Sequence, residues 1–65
     1  MPYSVKQARL LSMKSQSKIA ENMGICVQTY RKLEESPEKM TIEQARLFCA
    51  AVGRSMEEIS FCSRL

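Results

Sequence analysis

Residues 16–35, QSKIAENMGICVQTYRKLEE, restrict the fold more than any other stretch of the chain. Apolar residues recur there at helical spacing twice, first as Ile19, Ala20 and Met23, then as Tyr30 and Leu33, with Gly24 and Ile25 between the two runs. The spacing predicts a helix, a turn of about three or four residues, and a second helix. Two short helices that meet at a steep angle need a small residue where they cross, and Ala20 supplies it. The turn needs a residue that tolerates positive φ, and Gly24 is that residue. Tyr30 and Leu33 pin the second helix down, which leaves Gln28, Thr29, Arg31 and Lys32 on its other face.

This unit, about residues 16–35, reads as a helix-turn-helix, and its outward helix has the size and charge that a DNA major groove accepts. The remaining signals extend it into a helical domain. Ser4 with Gln7, Thr41 with Gln44, and Ser55 with Glu58 each fit the capping-box pattern, in which a hydroxyl and a side chain three residues on satisfy the free N–H groups of a first turn. Ser15 can cap a helix that begins at Gln16, and Cys26 holds the equivalent position before Val27. Pro37 disfavours helix at Ser36, and Gly24 and Gly53 each follow an apolar run, as a left-handed C-terminal cap does. Five helices are expected, at about 4–13, 16–23, 27–35, 41–52 and 55–61. Their apolar stripes are Val5, Ala8, Leu10 and Leu11 in the first, Ile42, Ala45, Phe48, Cys49 and Val52 in the fourth, and Met56 and Ile59 in the fifth. Alternating β-branched runs are absent, so strands are not expected.

Sixty-five residues make one domain, 1–65, near the lower size limit for independent folding. Helices this short are not stable alone, so burial of their stripes against one another must hold them. No apolar run approaches the ~20 residues that span a bilayer, and no signal peptide is evident; no membrane association and a cytoplasmic location are expected. The net charge of +3 is unevenly spread. Residues 1–33 carry Lys6, Arg9, Lys14, Lys18, Arg31 and Lys32 against Glu21 alone, whereas residues 34–65 carry four basic and six acidic residues. A basic first half suits a polyanion. Three cysteines, Cys26, Cys49 and Cys62, without CxxC spacing or histidine, argue against a disulfide framework or a zinc site. Cys49, within LFCAAV, reads as a small core residue. Without histidine, a paired-carboxylate pocket or a phosphate-cradling glycine loop, and with too little mass to enclose a substrate, no enzyme is expected, and neither a cofactor, a metal nor a small-molecule ligand.

Taken in order, Arg9, Gln16, Ile19-Ala20, Met23-Gly24-Ile25 and Leu33-Glu34, followed by TIEQARLFCAAVGRSMEEI, resemble the lambda-repressor-like helix-turn-helix DNA-binding family of phage Cro-type and repressor-type regulators. The likeness runs from about Val5 to Ile59. It implies an all-α fold, a compact five-helix domain with a central helix-turn-helix. It further implies an ion pair between Arg9 and Glu34, in place of two unrelated surface charges, and a phosphate contact by Gln16 at a helix N-terminus, where anions are favoured in any case. Three positions depart from the pattern. Lys14 stands where an apolar residue is usual, Ser36 replaces a frequent glycine, and Tyr30 replaces a smaller aliphatic. Either the core has adapted to Tyr30 or its hydroxyl leans toward the groove.

By the same resemblance, Val27, Gln28 and Lys32 match positions that commonly reach base edges. Gln28 can bond adenine N6 and N7, Lys32 can donate to guanine O6 or N7, and Val27 can meet a thymine methyl. Gln16, Lys14, Lys18, Thr29 and Arg31 suit phosphate contacts, which give affinity and register. One domain of this size would bury only ~600–1,000 Å² on DNA, so a homodimer on a pseudo-palindromic double-stranded operator is expected, with recognition helices ~34 Å apart. Candidate dimer residues are Met56, Ile59, Phe61, Cys62 and Leu65 at the C-terminal end. The rival reading is a protein-interaction module of the same fold, an antirepressor or antitoxin-like partner that touches DNA weakly or not at all.

Overall fold

In the computed structural model, which describes residues 2–61, each helix begins and ends where local chemistry dictates. Strand β1 (Tyr3–Ser4) runs directly into helix α1 (Val5–Leu11). There the Ser4 hydroxyl accepts from the Gln7 N–H at 3.0 Å, and the Gln7 side chain accepts from the Ser4 N–H at 2.9 Å. Helix α2 (Gln16–Met23) is capped by Ser15, whose Oγ accepts from the Lys18 N–H at 3.1 Å. Gly24 closes it in the left-handed region at φ +75°. A Cβ at Gly24 would meet nothing within 4 Å, so the glycine is needed for its backbone conformation and not for space. Helix α3 (Val27–Glu35) stops before Pro37, which opens a single 3₁₀ turn, Pro37–Lys39. Helix α4 (Ile42–Val52) carries the reciprocal Thr41–Gln44 cap and ends at Gly53.

Helix α2 packs against both α3 and α4. The core is built from Val5 and Ala8 of α1, Ile19, Ala20 and Met23 of α2, Tyr30 and Leu33 of α3, and Phe48, Cys49 and Ala51 of α4. Phe48 is fully buried, with Tyr30 stacked at a ring separation of 6.3 Å on one side and Phe61 edge-on at 6.3 Å on the other. Burying a side chain of this kind contributes roughly 1.5–3 kcal/mol, and paired rings about 0.5–1.5 kcal/mol beyond that. No helix among the described residues is long and apolar enough to cross a membrane.

The chain is mostly helical, but it has four α-helices among the described residues in place of the five expected. The segment expected as a fifth helix, 55–61, is a 3₁₀ turn (Met56–Glu58) followed by strand β2 (Ile59–Ser60), which pairs in parallel with β1 through Tyr3–Ile59 and Ser4–Ser60. The turn is set by Glu58, whose carboxylate accepts from both the N–H and the hydroxyl of Ser55. Beyond it, two spacings compete. Met56 and Ile59 lie three apart, as on a helix, and Ile59 and Phe61 two apart, as on a strand. The strand prevails: Ile59 is buried and Phe61 returns to Phe48, while Met56 stays 42% exposed.

Three smaller corrections have the same kind of cause. Helix α1 is shorter than expected, because the Ser12 hydroxyl donates to the Arg9 carbonyl at 2.6 Å and Met13 turns to φ +61°. Leu10 and Leu11 are about half exposed, since the inward side of α1 is taken by Val5, Ala8 and Arg9. Ile42 is exposed because it lies in the first turn of α4, beyond the packed stripe that starts at Ala45.

Candidate functional site

Burial of Tyr30 and Leu33 fixes the rotation of α3 and turns Gln28, Thr29, Arg31 and Lys32 outward, all exposed. Gln28 and Lys32, four residues apart, are neighbours on that outer face. Val27 stands apart from them: it is half-buried and packs partly against the core. The Thr29 hydroxyl lies 3.1 Å from the Cys26 thiol, and this contact at the start of α3 lowers the Cys26 pKa below its usual value.

Beneath this face lies a polar network centred on Glu34. Arg9 Nε donates to Glu34 Oε2 at 2.7 Å, and Arg9 Nη1 donates to the Lys14 carbonyl at 3.2 Å. The Tyr30 hydroxyl donates to the same Oε2 at 2.7 Å, and Gln16 Nε2 donates to Oε1 at 2.8 Å. Burial on its own would raise the Glu34 pKa, but the donors from Arg9, Tyr30 and Gln16 outweigh it and hold the carboxyl below its ordinary range. The same contact with Glu34 raises the Arg9 pKa further. Burial, and then the bond to Glu34, push the Tyr30 phenol far upward, so it remains a proton donor. The expected pair between Arg9 and Glu34 is therefore present, with side chains 11% and 7% exposed. Of the two orientations open to Tyr30, the core has adapted: its hydroxyl turns inward to Glu34.

Gln16 connects this network to the outer face. Its Nε2 is given to Glu34, and its Oε1 accepts from Arg31 Nε at 3.1 Å. Read from sequence as a phosphate contact, the Gln16 amide is thus bonded at both ends inside the protein. Lys14, also expected at phosphate, sends its Nζ to the Ala51 carbonyl in the last turn of α4. A cation at a helix C-terminus is favoured by the carbonyls left unpaired there. Lys18 is exposed, 3.6 Å from Glu21, one turn away on the same helix. Thr29 and Arg31 lie on the open face as expected.

The residues read as a dimer surface are divided. Met56 is exposed, Ile59 is 5% exposed and belongs to the core, Phe61 is half-buried against Phe48, and Cys62 and Leu65 lie outside the described residues. A further cation stands beside Gln16 and Arg31. Lys6, on the exposed side of α1, lines a groove with Gln16, Arg31, Glu34 and Glu35. Its charge was visible in the basic first half, but its proximity to Arg31 depends on how α1 docks against α3. Compared with protein-family models, with curated protein sequences and with solved structures, the chain matches none.

Proposed function

We propose that the protein is a sequence-specific double-stranded DNA-binding transcriptional regulator of the small Cro or repressor type, with α2 and α3 as its helix-turn-helix and α3 reading the major groove. One observation carries the reading. Helix α3 is held from behind by Tyr30, Leu33 and the Glu34 network, and presents Gln28, Thr29, Arg31 and Lys32 to solvent as one unshielded polar and basic surface. Gln28 and Lys32 take base edges, Val27 offers its exposed part to a thymine methyl, and Arg31, Thr29 and Lys18 take phosphates. A homodimer on a pseudo-palindromic site supplies the area that one domain lacks.

Selection of bound duplexes from a random library, followed by fluorescence anisotropy, tests this. Gln28→Ala and Lys32→Ala are each expected to cost roughly 1–3 kcal/mol, about five- to 150-fold in affinity, and to relax the preference at one position of the site. Unchanged affinity in the double variant, or no binding of any duplex by the wild type at low salt, sinks the proposal.

A second reading, a protein-interaction module of the antirepressor or antitoxin-like kind, is favoured by a different observation. Leu10, Leu11 and Met13 leave apolar surface exposed over four residues of the chain, Met13 at 92%. Under that reading, Leu11→Glu with Met13→Glu abolishes partner capture, while the α3 substitutions leave it intact.

A further inference from the structure

We infer that Lys6 and Arg31 form a two-cation clamp for one phosphodiester of the DNA backbone, at the groove where α1 meets α3, and that Gln16 holds this clamp open. The inference rests on the DNA-binding reading and adds to it a contact on α1. Lys6 and Arg31 line the same groove, and both are exposed. Arg31 bonds within the protein through Nε, so its two terminal nitrogens can point outward.

Two carboxylates also line the groove, and they behave differently. Glu34 is already answered by Arg9, Tyr30 and Gln16. Gln16 matters because its neutral amide stands between Glu34 Oε1 and Arg31 Nε, bonded to each. Without that spacer the guanidinium can fold onto Glu34 and be neutralised there; with it, the charge of Arg31 stays at the groove mouth. Glu35 is exposed and is the one carboxylate that opposes an incoming anion. Lys6 and Arg31 together outweigh it. Gln16 is accordingly a positioning residue, and Lys6 and Arg31 are the ligands.

Salt titration of duplex binding separates these roles. For the wild type, the logarithm of affinity should fall linearly with the logarithm of salt concentration, and each lost phosphate contact should reduce the slope by about 0.9. Lys6→Met, which keeps the aliphatic stem, should show that reduction, so that it loses roughly threefold less affinity than the wild type between about 50 and 200 mM salt. Its ranking of selected duplexes should not change. Lys39→Met, an exposed cation on the 3₁₀ turn after α3, should keep the wild-type slope. Glu35→Gln should bind every duplex more tightly. Gln16→Ala should shift the slope as Arg31→Met does, and Gln16→Ala combined with Arg31→Met should add nothing further. A wild-type slope in Lys6→Met, with wild-type protein still binding duplex, overturns the clamp alone. Absence of duplex binding by the wild type overturns the clamp together with the DNA-binding reading.

Discussion

Glu34 joins three helices through a single carboxylate, and its partners explain why the charge is tolerated with little water around it. Arg9 neutralises it from α1, Gln16 reaches it from α2, and Tyr30 approaches one turn back on α3. A pair of this kind adds less to stability than to the uniqueness of docking, yet removing one partner strands the other. Glu34→Ala is expected to cost about 3 kcal/mol in urea unfolding, chiefly because Arg9 is left buried without a counter-charge. The pH dependence follows from the two shifted groups. The Glu34 carboxyl is held below its ordinary 4.5 in the fold, so its contribution is fully present above about pH 4.5 and is lost as pH falls through the lower folded value. The Tyr30 phenol is held above its ordinary 10.0, so its contribution is present below about pH 10 and is lost as pH rises beyond it. Unfolding curves across pH should therefore show a flatter acid limb in Glu34→Gln and a flatter alkaline limb in Tyr30→Phe. A Tyr30→Phe protein with an unaltered alkaline limb would mean that the hydroxyl is not held by Glu34.

At the scale of elements, the two turns that flank α2 meet the same backbone demand with different residues. Gly24 adopts φ +75° and Met13 adopts φ +61°, where a side chain is strained by roughly 1–2 kcal/mol. Gly24→Ala should therefore destabilise by about 1 kcal/mol although nothing lies near the added methyl, whereas Met13→Gly should stabilise by a few tenths of a kcal/mol after the entropy of the unfolded glycine is counted. Opposite signs in chemical unfolding are the check, and a stabilised Gly24→Ala would refute the assignment of strain. These turns also show what the sequence makes legible. Gly24, Gly53, Pro37 and the Ser4, Ser15 and Thr41 caps act within a few residues, and each one marks its helix end where it was expected. Met13 carried no such mark, because methionine has no preference for positive φ. The fate of residues 55–61 was hidden for another reason. It was decided by pairing with Tyr3 and Ser4 at the far end of the chain, and local pattern alone does not reveal a partner that distant. The same holds for Lys14, whose nitrogen is taken by Ala51 across 37 residues.

Considered as one molecule, the distribution of charge differs from the division between halves that the sequence suggests. Arg9 is cancelled by Glu34 of the other half, and Lys14 is spent on a backbone carbonyl, which leaves Lys6, Lys18, Arg31 and Lys32 as the exposed cations of the first half. Of these, Lys6 and Arg31 line one groove, and Arg31 and Lys32 share the exposed side of α3, so the proposed contact with a duplex rests on placement and not on composition alone. Size then limits how two copies can share a duplex. The Cα extents of the described residues are 28 × 21 × 18 Å, and side chains add about 3 Å at each end, so the longest dimension of this part is about 34 Å. That is close to one turn of B-DNA, ~34 Å. Under the proposed reading, two copies centred over successive major grooves on one face meet through the described residues only at their tips, and only if their long axes follow the duplex. Contact of that extent would give modest coupling, with most of the gain on a palindrome coming from each copy reading its own half-site. Half-sites with centres about 10–10.5 base pairs apart should bind two copies, as read by sedimentation of the complex. Inserting roughly five base pairs, half a turn, should leave two copies bound but remove the coupling, because the copies then lie on opposite faces. Strong coupling that survives the half-turn insertion would instead require a dimer already formed before DNA is met, held by surface other than these tips.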